Sequence, residues 1–349
     1  AQDQVYVPAK RFVLTENTDL AGADIQSIFD TTIDGCEQTC LADDKCMAMT
    51  FNSKANSCFL KSSVSEQKPY QGAYSGWVKP TDPAILKASA ERAADLGFLS
   101  PDDLASALSQ AQTLANDYIS GDRTADELTG ESADSRTAGD IDSANRYMAA
   151  AINLTDSSDQ WTEFAQLLLD LPDNQTTDRY SDNLRALNAS INAYLRAPGK
   201  GAQASALFVM AKALEVNSRG RDMIPALKLA QSLQPRDEAD ALLTDAMGKY
   251  GFNIAENSVD SDTANPRICV TFNASLVASG VDYATFVKLP ESGLSVDASD
   301  NQICVSGVQH GKRYSLNFRK GLPAADGETL AKDTELQLYV RDRQPMVSF

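Results

Sequence analysis

Asp34-Gly35-Cys36-Glu37-Gln38-Thr39-Cys40, followed by Cys46 and Cys58, sets the architecture of the first 80 residues. Cys36 and Cys40 are four apart, so on a helix they share one face. Cys46-Met47-Ala48-Met49-Thr50-Phe51 alternates like a strand, Asn52 to Ser57 has turn chemistry, and Cys58-Phe59-Leu60-Lys61 reads as a second strand. A helix crossing a hairpin follows, in which Cys40 reaches Cys46 and Cys36 reaches Cys58. The larger of these loops is expected to contribute about 3 kcal/mol by restricting the unfolded chain. The rival is a zinc site with four cysteine ligands. The intervening spacings of three, five and eleven residues contain no C-x2-C pair, which disfavours it.

Working outward, Asp19-Leu20-Ala21-Gly22-Ala23-Asp24-Ile25, the four cysteines, Cys58-Phe59-Leu60-Lys61 and Ser75-Gly76-Trp77 together resemble a PAN/apple domain over residues 5–80. The resemblance implies a module that binds proteins or carbohydrate and does not catalyse. Ligands differ so widely among such domains that it assigns no binding residue here. Trp77 is expected to pack in the core near the end of the sheet.

The whole chain has 349 residues and a net charge of −17, from 31 Lys and Arg against 48 Asp and Glu. A surface that acidic repels phosphate backbones and disfavours adsorption to an anionic membrane, so nucleic acid is not expected as a partner; no apolar run approaches about 18 residues, so membrane insertion is not expected either. There is one histidine, His310, within Val308-Gln309-His310-Gly311-Lys312, which reads as an exposed hairpin turn. That excludes multi-histidine metal sites and leaves any Ser-His-Asp or Cys-His chemistry to a turn residue. No G-x-S-x-G, H-E-x-x-H, P-loop or dinucleotide fingerprint occurs. Asp260-Ser261-Asp262-Thr263-Ala264 begins like a calcium loop but lacks the Gly at position six and the Glu at twelve. No enzyme activity, cofactor or metal is therefore expected. Six cysteines, clustered and even in number, point to an oxidising compartment, periplasmic or secreted. Ala1-Gln2-Asp3-Gln4 is expected to be a mature N-terminus.

Residues 84–252 are rich in Ala and Leu at helical spacing. Ser100-Pro101-Asp102-Asp103 opens one helix, with Leu104, Leu108, Ala111, Ala115 and Tyr118 along one face. Trp161, Phe164, Ala165 and Leu168 form a second stripe; Tyr180, Leu184, Leu187, Ile191 and Leu195 form a third. Leu207, Ala211, Leu214, Leu227, Ala230 and Pro235 fall where a tetratricopeptide repeat places its packing residues, with Met223 departing from the usual small residue. Stacked helical hairpins are expected. Residues 121–142 carry seven acids and only two strongly apolar residues, Leu128 and Ile141, so a mobile loop is expected there.

Residues 253–349 alternate: Ile268, Val270 and Phe272; Tyr314, Leu316 and Phe318; Leu336, Leu338 and Val340. Five to seven strands in an antiparallel β-sandwich are expected. Cys269 and Cys304 lie in two such runs, either bonded between strands or as two buried thiols. Arg267-Ile268-Cys269-Val270-Thr271-Phe272, Ile303-Cys304-Val305-Ser306-Gly307-Val308, Arg319-Lys320-Gly321-Leu322-Pro323, Gly327-Glu328-Thr329-Leu330 and Tyr339-Val340-Arg341-Asp342-Arg343-Gln344-Pro345 follow in an order that resembles the N-terminal region of bacterial alpha-2-macroglobulins. The resemblance implies a macroglobulin-type sandwich behind a PAN-like module and helical repeats, in a periplasmic protease trap. The family's thioester motif is Gly-Cys-Gly-Glu-Gln. Gly35-Cys36-Glu37-Gln38 lacks its second glycine and lies in the PAN-like cluster, so it is read as coincidence. The chain is thus expected to be a multidomain α+β fragment of a longer protein, with domains at 1–80, 84–252 and 253–349. Its role would be to position the trap or help it meet proteases or envelope partners. The alternative is a stand-alone secreted adaptor that binds protein or polysaccharide through its PAN-like and helical domains.

Overall fold

The computed structural model describes residues 5–342, in two compact units that divide between Asp240 and Ala241. Ala1-Gln2-Asp3-Gln4 and Arg343-Gln344-Pro345, quoted above, lie outside the described residues.

In the first unit, β1 (Lys10–Ile28) and β3 (Ser57–Pro80) pair antiparallel from Lys10 opposite Pro80 to Ile28 opposite Cys58. Four register shifts bend this long pair. At one of them, a Cβ on Gly22 would lie 1.9 Å from the Ser63 carbonyl oxygen, so no side chain fits. β2 (Ala48–Asn52) pairs with both arms of β3: Ala48 faces Lys61 and Trp77, and Asn52 faces Ser57 and Ala73. The polar alternation expected over 46–51 is accordingly absent. Ala48, Met49, Thr50 and Phe51 are all buried, because β2 is a central strand with α1 (Ile33–Ala42) packed against it. Thr32 caps α1, its hydroxyl accepting from the Gly35 N–H at 3.1 Å.

Among the described residues nine helices follow: α2 (Pro83–Asp95), α3 (Pro101–Asp117), α4 (Ala125–Thr137), α5 (Ile141–Thr155), α6 (Ser158–Asp170), α7 (Arg179–Arg196), α8 (Lys200–Val216), α9 (Met223–Leu233) and α10 (Asp237–Tyr250), the last spanning the unit boundary. Ser100 and Asp103 form a reciprocal capping box at α3. Ala115 and Ile119 join the apolar cluster of the β1–β3 sheet, so this sheet and the helices share a core.

Residues 121–142 are not a loop. They hold α4, which starts with a capping box between Thr124 and Glu127 and packs on α5. Leu128 is fully buried, and the Ser132 hydroxyl donates to the Ala144 carbonyl at 2.7 Å. Composition misleads here because one buried leucine and a good cap suffice when a neighbouring helix supplies the rest of the core.

α7 is central, packing against α2, α3, α6 and α8. It is buried without a break from Ala186 to Arg196, polar residues included. Asn192 donates to the Ala107 carbonyl at 2.8 Å and accepts from Arg196 at 2.7 Å, while Asn188 donates to the Ser106 hydroxyl at 2.9 Å with its Oδ1 left without a partner. Tyr180, placed above on the apolar stripe of this helix, is 76% exposed at its first turn, before the packed stretch begins. α8 and α9 form a hairpin in which Leu207, Ala211, Leu214, Met223, Leu227 and Ala230 are all buried.

The second unit has two antiparallel sheets. β4 (Ile254–Asp260), β5 (Arg267–Phe272), β8 (Gln302–Ser306) and β7 (Ser295–Ser299) lie in that order in one. β10 (Thr334–Tyr339), β9 (Arg313–Phe318) and β6 (Val287–Lys288) form the other. Ile268, Val270 and Phe272 of the first sheet and Tyr314, Leu316 and Phe318 of the second share one apolar core, with the Phe272 and Phe318 rings edge to face at 5.9 Å. The His310 turn does not close a hairpin, because β8 and β9 belong to different sheets. His310 is half-buried in the crossover, its Nε2 2.9 Å from the Ser261 carbonyl oxygen.

Candidate ligand-binding site

The residues singled out from sequence as sites are cysteines, and the structure joins them in three pairs. Cys36 bonds Cys58 with Cα atoms 5.6 Å apart, Cys40 bonds Cys46 at 5.3 Å, and Cys269 bonds Cys304 at 4.0 Å. The first ties α1 to β3 and the second ties α1 to the segment leading into β2, and both are buried in the core of the sheet. Cys269 and Cys304 stand directly opposite each other in the β5–β8 ladder. Cys36 is therefore not available to Gln38 for a thioester. Among the described residues no group of three or more His, Cys, Asp or Glu side chains is placed to hold a metal ion.

The β1–β3 sheet carries a cleft of about 260 Å³ lined by Asp19, Asp24, Thr50, Asn52, Phe59, Lys61, Tyr70 and Ala73. Its chemistry comes from strand pairing. Asp24 on β1 stands opposite Lys61 on β3 in register, and the Lys61 ammonium donates to Asp24 Oδ1 at 2.5 Å. The Lys61 side chain is only 6% exposed, whereas the Asp24 side chain is 46% exposed. The ammonium is thus held in the wall while its carboxylate partner opens to solvent. An ammonium carries three donors, and the ion pair uses one of them.

Thr50 lies deeper. Its hydroxyl accepts from the Leu20 N–H at 3.1 Å and sits 2.7 Å from the Ser75 hydroxyl, which donates to the Thr18 carbonyl. Asn52 Oδ1 accepts the Lys54 N–H at 3.0 Å, which fixes the turn after β2 and orients the Asn52 amide at the cleft edge. Tyr70, 47% exposed, supplies an aromatic face at the rim, with the Lys54 ammonium 6.0 Å from its ring centre. Phe59 gives a second ring, 5.9 Å from the Lys61 ammonium. A small polar floor, paired carboxylate and ammonium, and rim aromatics suit one polar, uncharged or zwitterionic group of sugar-ring size.

Of these residues, Asp19, Asp24, Phe59 and Lys61 enter the sequence motifs only as flanks of the cysteine pattern, and no sequence signal marks Asn52 or Tyr70 as a site residue. Trp77, expected in the core, is half-buried opposite Val13.

These elements make a disulfide-braced sheet crossed by one helix, with an open polar cleft. Residues 10–77 match the family model of the PAN domain, so this chain carries a PAN domain there. PAN domains generally mediate protein or carbohydrate binding. A search of curated proteins gives no match for the chain. Among the described residues no helix is long and apolar enough to cross a membrane, and a disulfide-bonded PAN domain fits an extracellular or secreted setting.

Proposed function

We propose that this chain is a non-catalytic recognition protein whose PAN cleft binds a sugar residue of a polysaccharide or glycoprotein. The observation that carries this is the pairing of Asp24 with the buried Lys61 in a cleft that Tyr70 also lines. Hydroxyl groups of a sugar accept from the ammonium and donate to the exposed carboxylate, while the ring face packs on the tyrosine. The absence of catalysis is part of the proposal. It is supported by cysteines held in disulfides and by a lone histidine placed against a backbone carbonyl. The test is a glycan array followed by titration with the best binder. Tyr70→Ala, a surface change, is expected to weaken binding about tenfold, and Asp24→Asn similarly. Binding that neither change weakens refutes the cleft as the site.

A narrower reading makes the chain the N-terminal recognition or scaffold region of a periplasmic alpha-2-macroglobulin-like protease inhibitor. What favours it is the series of a PAN domain, helical hairpins and a two-sheet unit built around Phe272 and Phe318. On this reading the chain positions the trap and performs no covalent capture. A protease-protection assay on the chain alone and on the product of its full reading frame tests it. Protection only by a longer product with a thioester supports the reading. Covalent capture by this chain alone, or a frame with no trap domains, overturns it.

A further inference from the structure

We propose that the groove between α1, the segment 5–10 and α3 is a docking site for a basic side chain, an arginine or lysine presented by a protein partner. The groove encloses about 950 Å³ and is separate from the PAN cleft. Four carboxylates line it: Asp34, Glu37, Asp44 and Asp117. Lys10, the lysine of its lining, is already engaged by Asp44 at 2.8 Å.

Charge alone would describe a solvated acidic patch. Two orphaned acceptors distinguish this groove. Glu37 is 6% exposed, and its Oε1 has no hydrogen-bond partner. Asn116 donates its amide to Asp34 Oδ1 at 2.9 Å, which fixes the amide's orientation and leaves Asn116 Oδ1 buried and unpartnered as well. Leaving buried acceptors unpaired is unfavourable by about 1–3 kcal/mol each. Once Glu37 is ionised, its Oε1 and the Asn116 Oδ1 would each accept from a group with several N–H donors, and the carboxylate favours one that also carries a positive charge. Guanidinium and ammonium groups are the side chains that meet both conditions.

The walls point to a protein segment as the carrier. Val5, Pro8 and Leu41 give the groove apolar flanks, and its volume exceeds what a single cationic head group fills. The chain's net charge of −17 favours a basic partner at longer range. Empty, the site pushes the Glu37 carboxyl up to about 7, chiefly through burial and further through Asp34, with the Asn116 amide partly offsetting. A docked cation must displace that proton, so docking strengthens as pH rises through 7.

The probe is a blocked five-residue peptide with a central arginine, compared with the same peptide carrying neutral citrulline. Titration calorimetry at pH 6 and pH 8 is expected to show arginine binding at least about tenfold tighter than citrulline at pH 8, with that preference shrinking at pH 6. Glu37→Gln is expected to weaken arginine binding about tenfold and to remove its pH dependence, while Glu66→Gln, an exposed change on β3, leaves both unaltered. Glu37→Gln removes a buried charge, so its fold is retained, and tryptophan emission checks this. Hydrogen exchange should slow in α1 and α3 when the arginine peptide is present. Equal binding of the two peptides, unchanged binding in Glu37→Gln, or no binding at about 5 mM peptide overturns the proposal.

Discussion

Replacing Asp156 by Asn is expected to destabilise the first unit by about 3–5 kcal/mol, the range for breaking a buried ion pair from one side. Asp156 follows α5, and its side chain is 6% exposed. Its Oδ1 accepts from Arg196 Nε at 2.7 Å and from the Trp161 indole N–H at 3.0 Å. Arg196 ends α7 with a side chain only 1% exposed, and its guanidinium lies 5.3 Å from the Trp161 ring centre. Arg11 of β1 approaches Asp156 Oδ2 at 4.0 Å and donates to the Asn153 carbonyl at 3.3 Å, which ties the PAN sheet to the same node.

Asn keeps an acceptor for Trp161 but deletes the charge that offsets Arg196. Arg196 retains Asn192 Oδ1 at 2.7 Å, so the lower end of the range is the better expectation. Asn is the informative choice because Asp156 has φ +55, a left-handed conformation that Asn adopts readily and Ala does not. Urea unfolding followed by tryptophan emission is the assay, since both tryptophans, Trp77 and Trp161, lie in the first unit. At a slope of about 3 kcal/mol/M the midpoint should fall by about 1 M. Combining Asp156→Asn with Arg196→Met is expected to restore part of the loss, because the uncompensated charge is gone. A shift below about 0.5 kcal/mol in Asp156→Asn, or a double variant weaker than the single by the full Arg196→Met cost, would falsify the account of this node.

Stability should also fall as pH rises through the range in which Glu37 ionises. The folded chain holds the Glu37 proton up to about 7 against an ordinary 4.5, so this group's contribution is fully present below pH 4.5 and is lost as pH climbs through 7. Glu37→Gln should flatten that slope, seen as a midpoint gain over the natural chain at pH 8 and none at pH 4.5. Non-reducing peptide mapping should recover the Cys36–Cys58, Cys40–Cys46 and Cys269–Cys304 pairs, and opening the first should lower stability by about 3 kcal/mol. Thr124→Ala should destabilise the first unit by about 1 kcal/mol, and limited proteolysis should not begin within α4; an early cut between 125 and 137 would show that α4 is not packed as described.

The PAN domain is legible because it is written locally. Cys36, Cys40, Cys46 and Cys58 lie within 23 residues, and the helix, turn and strand between them each have their own short-range signal. The same holds for α3, whose Ser-Pro-Asp-Asp start is complete within four residues. Sequence signals fail where distant elements decide. α4 has one buried leucine and becomes a helix because α5 receives it. β2 loses both edges because β3 passes it twice, first at Lys61 and again at Trp77, and α1 packs against it. His310 has the surroundings of a hairpin turn because Val308 and Tyr314 flank it as strand ends do. Only the assignment of β8 and β9 to different sheets makes it a crossover.

The cleft is illegible for a more specific reason. Asp24 and Lys61 are 37 residues apart, and they meet only if β1 and β3 pair in one register. That pairing contains shifts between Glu16 and Thr18, Ala21 and Gly22, Ala23 and Asp24, and Asp24 and Gln26. Each shift of one residue exchanges the two faces of a strand. An unshifted ladder running on from Lys10 opposite Pro80 would set Asp24 opposite Glu66, a like charge that would repel it. The bulges therefore bring the buried ammonium opposite a carboxylate instead of placing two carboxylates together. Gly22, where the Ser63 carbonyl leaves no room for a Cβ, is the position at which this correction depends on one residue type. Gly22→Ala should accordingly disturb the Asp24–Lys61 pair and ligand binding at the cleft while leaving Trp161 emission, read in a Trp77→Phe background to report on α6, unchanged. A Gly22→Ala protein that binds as the natural chain does would show that the register, and with it the cleft, is set elsewhere.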